Sequence, residues 1–346
     1  MPPLPLPTTP RLVVYYQTQH FPDGSPRSIL PLVMKPDISV THVNIAAIHL
    51  NDPPGNITLN DHEPSHPRYH TLWAEARVLQ ASGIKVLGML GGAAKGSFKR
   101  LDLDEVTFET YYVPLRKLIR DKNFDGLDID VEEEMSLRGV IRLIDRLKTD
   151  FGNGFLITLA PVATALILDE LKYNLSGFSY EALEIMRGDQ IAWYNTQFYC
   201  GWGDMSNTKG FDQIIARGYP ANKIVIGVVT NPENGKGWIA TDILQEVLIN
   251  LKIKYPNMGG VMGWEYFNSL PGDQRAPWEW ASCITACIRY DPPTANLGQV
   301  PSSIGAFDQL ITIDDDLHEA TDASVPADFV YFSDHDDVQL SFLPNL

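Results

Sequence analysis

Cysteine is scarce: 346 residues hold three, Cys200, Cys283 and Cys287. So few, and an odd number, exclude a disulfide framework. Cys283 and Cys287 stand i, i+4 and read as small buried hydrophobes on one helix face. Positive charge is short as well, with 27 Lys and Arg against 43 Asp and Glu and a net charge of −16. Phosphate backbones are gripped through Lys and Arg, so neither nucleic acid nor an anionic membrane is expected as a partner. No run of 18 apolar residues occurs, which excludes an ordinary transmembrane helix. The opening MPPLPLPTTPRL lacks the charged and long apolar regions of a secretory signal. As written, a cytoplasmic protein is expected, or a secreted one whose leader was trimmed. Residues 291–346 lack Lys and Arg altogether while holding ten Asp and one Glu, so −11 of the −16 sits there and −5 remains for 1–290. The shift begins at RYDPPTANLG, whose Pro-Pro and Gly suit a boundary. The expected organisation is one large folded domain over 1–290 and an acidic C-terminal extension over 291–346, docked or flexible.

What is present suits a globular chain with a sizeable core: 44% of residues are hydrophobic and 20% charged. Short β-branched and aromatic runs recur along residues 1–290. They are RLVVYYQ (11–17), HVNIAAIHL (42–50), IKVLGML (84–90), FDGLDIDV (124–131), FLITLAP (155–161), IAWYNTQFY (191–199), KIVIGVVT (223–230) and GGVMGWEYF (259–267). Amphipathic stretches lie between them, among them residues 69–83, 107–121, 137–152 and 241–255. Gly83, Gly152 and Gly218 fall where helix C-caps belong. Eight strands alternating with helices predict an α/β fold, the (β/α)8 or TIM barrel. A doubly wound open sheet is the alternative. It would more often carry fewer strands and a Gly-rich turn after the first, which VVYYQTQH lacks.

The fourth run is the unusual one. Alternation along a strand puts Gly126, Asp128, Asp130 and Glu132 on one face and Leu127, Ile129 and Val131 on the other. The apolar face would pack on helices, so the acids would point into the barrel. Glu132 would stand at the strand's C-terminal end, where barrel enzymes keep their chemistry. Residues two apart rise about 6.6 Å along a strand, which lets neighbouring carboxyls nearly touch. Burial and mutual repulsion should then leave the cluster sharing protons, with at least one raised pKa. A carboxylic acid kept protonated near neutral pH serves acid–base catalysis. A hard-cation loop would instead want polar spacers and its glycine late; here the spacers are Leu, Ile and Val and Gly126 comes first.

Asp125-Gly126-Leu127-Asp128-Ile129-Asp130-Val131-Glu132 resembles the Asp-Gly-x-Asp-x-Asp-x-Glu signature of glycoside hydrolase family 18. GMLGGAAKGSF (88–98) resembles the family's third-strand Gly-Gly motif, WYNTQFY (193–199) its sixth-strand segment and GGVMGWEYFNSLPG (259–272) its eighth. LITLAPVA, NLSGFSY and PWEWA are similar to the fungal endo-β-N-acetylglucosaminidases of this family. The likeness spans roughly residues 10–290. It implies substrate-assisted, retaining hydrolysis through an oxazolinium intermediate. Glu132 would be the acid and then the base, Asp130 would orient the acetamide, and Asp128 would share a proton or charge with Asp130. Tyr199 matches the tyrosine that donates to the acetamide carbonyl. Trp264 matches the tryptophan beneath the reacting sugar. Gln197, Asn195, Tyr15 and Gly92 are further lining candidates. The implied substrate is the chitobiose core of an N-glycan, cut at its β-1,4 GlcNAc–GlcNAc bond. A GlcNAc oligomer is the alternative, as for a chitinase.

A non-catalytic lectin on this barrel is a third reading, but such members lack the acid at the position of Glu132. A monomer without cofactor or metal is expected. HEPSH (62–66) places Pro64 between its histidines, and GGAAKGS lacks the order of a phosphate loop. One departure concerns the catalytic segment, where many chitinases of the family have Trp-Glu-Tyr and this chain has Val131-Glu132-Glu133. No separate carbohydrate-binding module is evident either. Glu265 stands beside Trp264, yet alternation turns it away, which suits a structural role.

Overall fold

The computed structural model describes residues 9–290, Asp169 excepted. The acidic extension expected over 291–346 lies outside the described residues. Nine strands form one sheet: β1 Arg11–Tyr16, β2 His42–Asn51, β3 Asn56–Leu59, β4 Lys85–Gly91, β5 Gly126–Asp130, β6 Leu156–Leu159, β7 Trp193–Gln197, β8 Ile224–Val229 and β9 Gly260–Trp264. Eight of them pair in parallel in the order β1-β2-β4-β5-β6-β7-β8-β9, and β9 returns to β1. The ring is the closed (β/α)8 barrel predicted from the alternation. It has no open edge, because its last strand bonds its first.

The ninth strand, β3, was not evident in the sequence. It folds back antiparallel on the upper part of β2 around Pro53-Pro54-Gly55. Four residues, NITL, are too few to show a period. The hairpin is fastened to the neighbouring loops: Arg100 pairs with Asp52 at 2.6 Å, and the Leu50 amide donates to Ser97 Oγ at 3.0 Å. It thus raises one wall above the barrel mouth.

Helices form where apolar residues recur every three or four positions. Leu137–Phe151 starts on Ser136, whose hydroxyl accepts from the Gly139 amide. It buries Val140, Leu143, Ile144 and Leu147 and stops at Gly152, where φ is +78°. Glu105–Asp121 is capped by Asp104 and buries Phe108, Tyr112, Leu115 and Ile119. Among the described residues no helix is long and apolar enough to cross a membrane.

Alternation along the strands divides the core in two. Outward residues such as Leu127, Ile129 and Val131 join the large cluster under the helices. Inward residues form a smaller cluster of Val13, Tyr15, Ala46, Ala47, Met89, Trp193, Tyr199, Val225, Val229 and Met262. Each buried aliphatic or aromatic side chain contributes roughly 1.5–3 kcal/mol of transfer free energy. The lower end of the lumen is closed by Trp193, with the Arg11 guanidinium 4.6 Å from its ring and His42 edge-on at 4.5 Å.

Candidate active site

The carboxylates rise through the lumen on β5. Asp128 is lowest and fully enclosed. Its Oδ2 accepts from the Tyr15 hydroxyl at 2.6 Å, and its Oδ1 accepts from Thr158 Oγ1 at 2.5 Å and Asn195 Nδ2 at 2.9 Å. Burial raises its pKa, while these donors favour the charged form and restrain the rise. Asn195 is itself held by Trp193 Nε1 at 2.9 Å, which fixes the flip of its amide.

Asp130 stands one strand step higher, 5% exposed. Its pKa is raised well above the usual range, first by burial, then by the charges of Glu132 and Asp128. Burial raises Glu132 as well. Gln197 Nε2 spans this pair, reaching Asp130 Oδ1 at 3.1 Å, Glu132 Oε1 at 3.2 Å and the Ala160 carbonyl at 2.9 Å. Two such acids in one dry site resist ionising together, so the pair shares a proton more readily than exposed carboxyls do. Gly92 flanks Asp130. Its amide donates to the Asp130 carbonyl at 2.9 Å, and a Cβ there would meet Met89 Cε at 2.8 Å and Asp130 Oδ2 at 3.6 Å. With φ at +97° and +86°, Gly91 and Gly92 use backbone that other residues rarely adopt.

Tyr199 leaves β7 just above Gln197. Its pKa is raised well above normal by burial first, then by Asp130 and Glu132, so it stays a neutral donor. Trp264 ends β9 with its ring 5.5 Å from Tyr15 at 62°. Tyr15 therefore joins the lowest acid to the tryptophan.

The structure places all nine predicted site residues at this lumen and mouth, with different exposures. Asn195 is completely buried with both amide ends engaged, and Tyr15 is 1% exposed with its hydroxyl on Asp128. Neither can line a ligand with its polar group; each holds Asp128 instead. Alternation alone sets the face of a residue, not its depth. Glu265 is buried in a structural role, its carboxylate accepting from the Gln17 and Thr18 amides and Thr18 Oγ1 at 2.8–2.9 Å.

Three supporting residues escaped the sequence reading. Thr158 is inward on β6, and its polar side chain in the run LITLA was the available signal. Glu133 accepts from the Gly96 and Phe98 amides at 2.8 Å and so pins the loop after β4 against the acid strand. Ser176 donates to the Val131 carbonyl at 2.7 Å and holds the exit of that strand. Nothing in the local sequence of Glu133 or Ser176 announces these long-range contacts.

A closed parallel barrel with stacked, proton-sharing carboxylates at the C-terminal ends of its strands belongs to the glycosidase class. The chain is a member of glycosyl hydrolases family 18, whose model matches residues 11–294. It is similar to a fungal endo-β-N-acetylglucosaminidase of that family, 49% identical, with 81% of this chain and 99% of the other covered and a TM-score of 0.78. It is also similar to the chitinase ChiC of Aspergillus fumigatus, 53% identical, covering 79% and 97% of the two chains with a TM-score of 0.73. Endochitinase 37 of Trichoderma harzianum is 26% identical over 151 residues, 40% of this chain and only 43% of that protein's length.

Proposed function

We propose that the protein is an endo-β-N-acetylglucosaminidase that cuts the GlcNAc–GlcNAc bond in the chitobiose core of N-glycans. The observation that carries this reading is the Asp130–Glu132 pair, bridged by Gln197, with Tyr199 and Trp264 at the same mouth. The likeness to the fungal endo-β-N-acetylglucosaminidase supports the substrate. The reacting sugar lies over Trp264 with its acetamide between Asp130 and Tyr199. Asp130 accepts the acetamide N–H, and the Tyr199 hydroxyl donates to its carbonyl oxygen. That oxygen attacks C1 as the C1–O bond to the leaving sugar breaks. Glu132 gives its proton to the departing oxygen. The positive charge of the oxazolinium is balanced by Asp130, with Asp128 beneath it. Water then attacks C1 as the C1–O bond to the acetamide oxygen breaks and the acetamide re-forms, Glu132 takes a proton from the water, and the configuration is retained.

Incubation with a high-mannose glycoprotein, read by mass spectrometry, tests the substrate. Release of a glycan ending in one GlcNAc is expected. No release alongside turnover of GlcNAc oligomers would replace this reading with a chitinase, which the likeness to ChiC favours. Glu132→Gln should lower the rate by roughly 10²–10⁴ while ligand binding survives; an unchanged rate would remove Glu132 from the mechanism. Asp130→Asn should lose hydrolysis of the natural bond steeply and still transfer from a sugar oxazoline donor. Equal loss of both activities would contradict the acetamide role.

A further inference from the structure

Trp238 lies on the loop between β8 and the helix Thr241–Lys254, in a stretch without any sequence motif. It packs, partly exposed, against the lumen cluster that contains Tyr199 and Val229. Three other partly buried apolar residues share that position, Leu156, Ala192 and Trp264. Leu156 and Ala192 stand at the entry ends of β6 and β7, far down the barrel. Among the described residues Trp238 and Trp264 are thus the two partly exposed apolar side chains packed on the mouth side of this cluster.

The loop that carries Trp238 is built to hold it. Asn234 Nδ2 reaches Thr230 Oγ1 at 3.1 Å, the Trp264 carbonyl at 3.3 Å and Asn268 Oδ1 at 2.9 Å. The Cys200 amide donates to the Lys236 carbonyl at 2.8 Å. A Cβ on Gly237 would lie 3.4 Å from Tyr199 Cα, so the backbone next to Trp238 rests on the tyrosine itself. The loop is tied at one end to the residue beneath the reacting sugar and at the other to Cys200, which follows the residue that would grip its acetamide.

We propose that Trp238 is a specificity-determining residue, an indole platform for the pyranose that adjoins the sugar seated on Trp264. A pyranose ring offers a face of C–H groups to an indole, while its hydroxyls remain free for polar partners. This rests on the glycosidase reading of the site and adds the recognition of a neighbouring sugar to it.

The test uses the full chain with Trp238→Ala and Trp238→Phe, each also combined with Glu132→Gln. Calorimetric titration of the Glu132→Gln protein with a Man9GlcNAc2 glycopeptide and with the GlcNAc tetramer selects the tighter probe. Adding Trp238→Ala should weaken that probe about tenfold, as for a buried aromatic anchor, and Trp238→Phe should restore most of it. In the active protein the alanine change should raise KM by a similar factor and alter kcat much less. Unchanged affinity, or a fall in kcat at constant KM, overturns the inference, the latter making Trp238 a support for Tyr199. Absence of binding by either probe overturns it too. Failure of the glycosidase reading would show separately, as no turnover of either probe by the unmutated protein.

Discussion

Gln197 carries two amide hydrogens and faces three acceptors, so one hydrogen is shared by Asp130 and Glu132. That donor favours the charged form of both acids and holds their raised pKa values down. Gln197→Met removes it without a large change in volume. Both pKa values should then rise, and the pH profile of kcat/KM should move toward alkaline pH while its maximum falls. A profile that keeps its position would show that the amide does not set the proton balance. The sequence made the acids legible, because carboxylates two apart in an otherwise apolar strand share one face. It did not show that Asn195 and Tyr15 would be consumed in holding Asp128. That depends on depth in the lumen and on strands that do not pair with β5, more than a hundred residues away for Tyr15 and 67 residues away for Asn195.

At the scale of the element, β5 can carry its acids only because its first residue lets β6 approach. A Cβ at Gly126 would stand 2.3 Å from the Leu156 carbonyl oxygen, a backbone atom that cannot swing aside. Gly126→Ala should therefore destabilise the barrel by about 1–3 kcal/mol and lower Tm by about 5 °C in thermal unfolding. An unchanged Tm would mean that β6 can shift freely. The strand runs were readable to within a few residues at their starts and less well at their ends. The run 191–199 stops pairing as β7 at Gln197, and Cys200 turns the chain with φ at +56°. The run 259–267 stops at Trp264, where the chain enters a short turn of helix at Tyr266–Asn268. Both breaks occur at the mouth, where the chain leaves the ring to build the site, and β-propensity says nothing about where the ring ends.

At the scale of the molecule, the barrel buries a titratable base at its lower end. His42 packs on Trp193, and burial, with Arg11 nearby, depresses its pKa to about 3. The unfolded chain would bind that proton near pH 6.5. The contribution of His42 is thus fully present above pH 6.5 and is lost as pH falls toward 3, by an amount on the order of 5 kcal/mol. Asp130 and Glu132, with raised pKa values, act in the opposite direction over the acid range, since protonation relieves them. His42→Phe should unfold at lower pH than the parent in an acid titration followed by near-UV circular dichroism. Identical midpoints would show that the histidine is hydrated or charged in the fold. The alternation of strands and helices and the stacking of acids on one strand face were determined by sequence alone, because each depends on local periodicity. Closure of the ring, the β3 hairpin wall and the packing of Trp238 on the lumen cluster were decided only by tertiary structure. Each is a contact between segments far apart in the chain, and no local pattern encodes which distant backbone will arrive there.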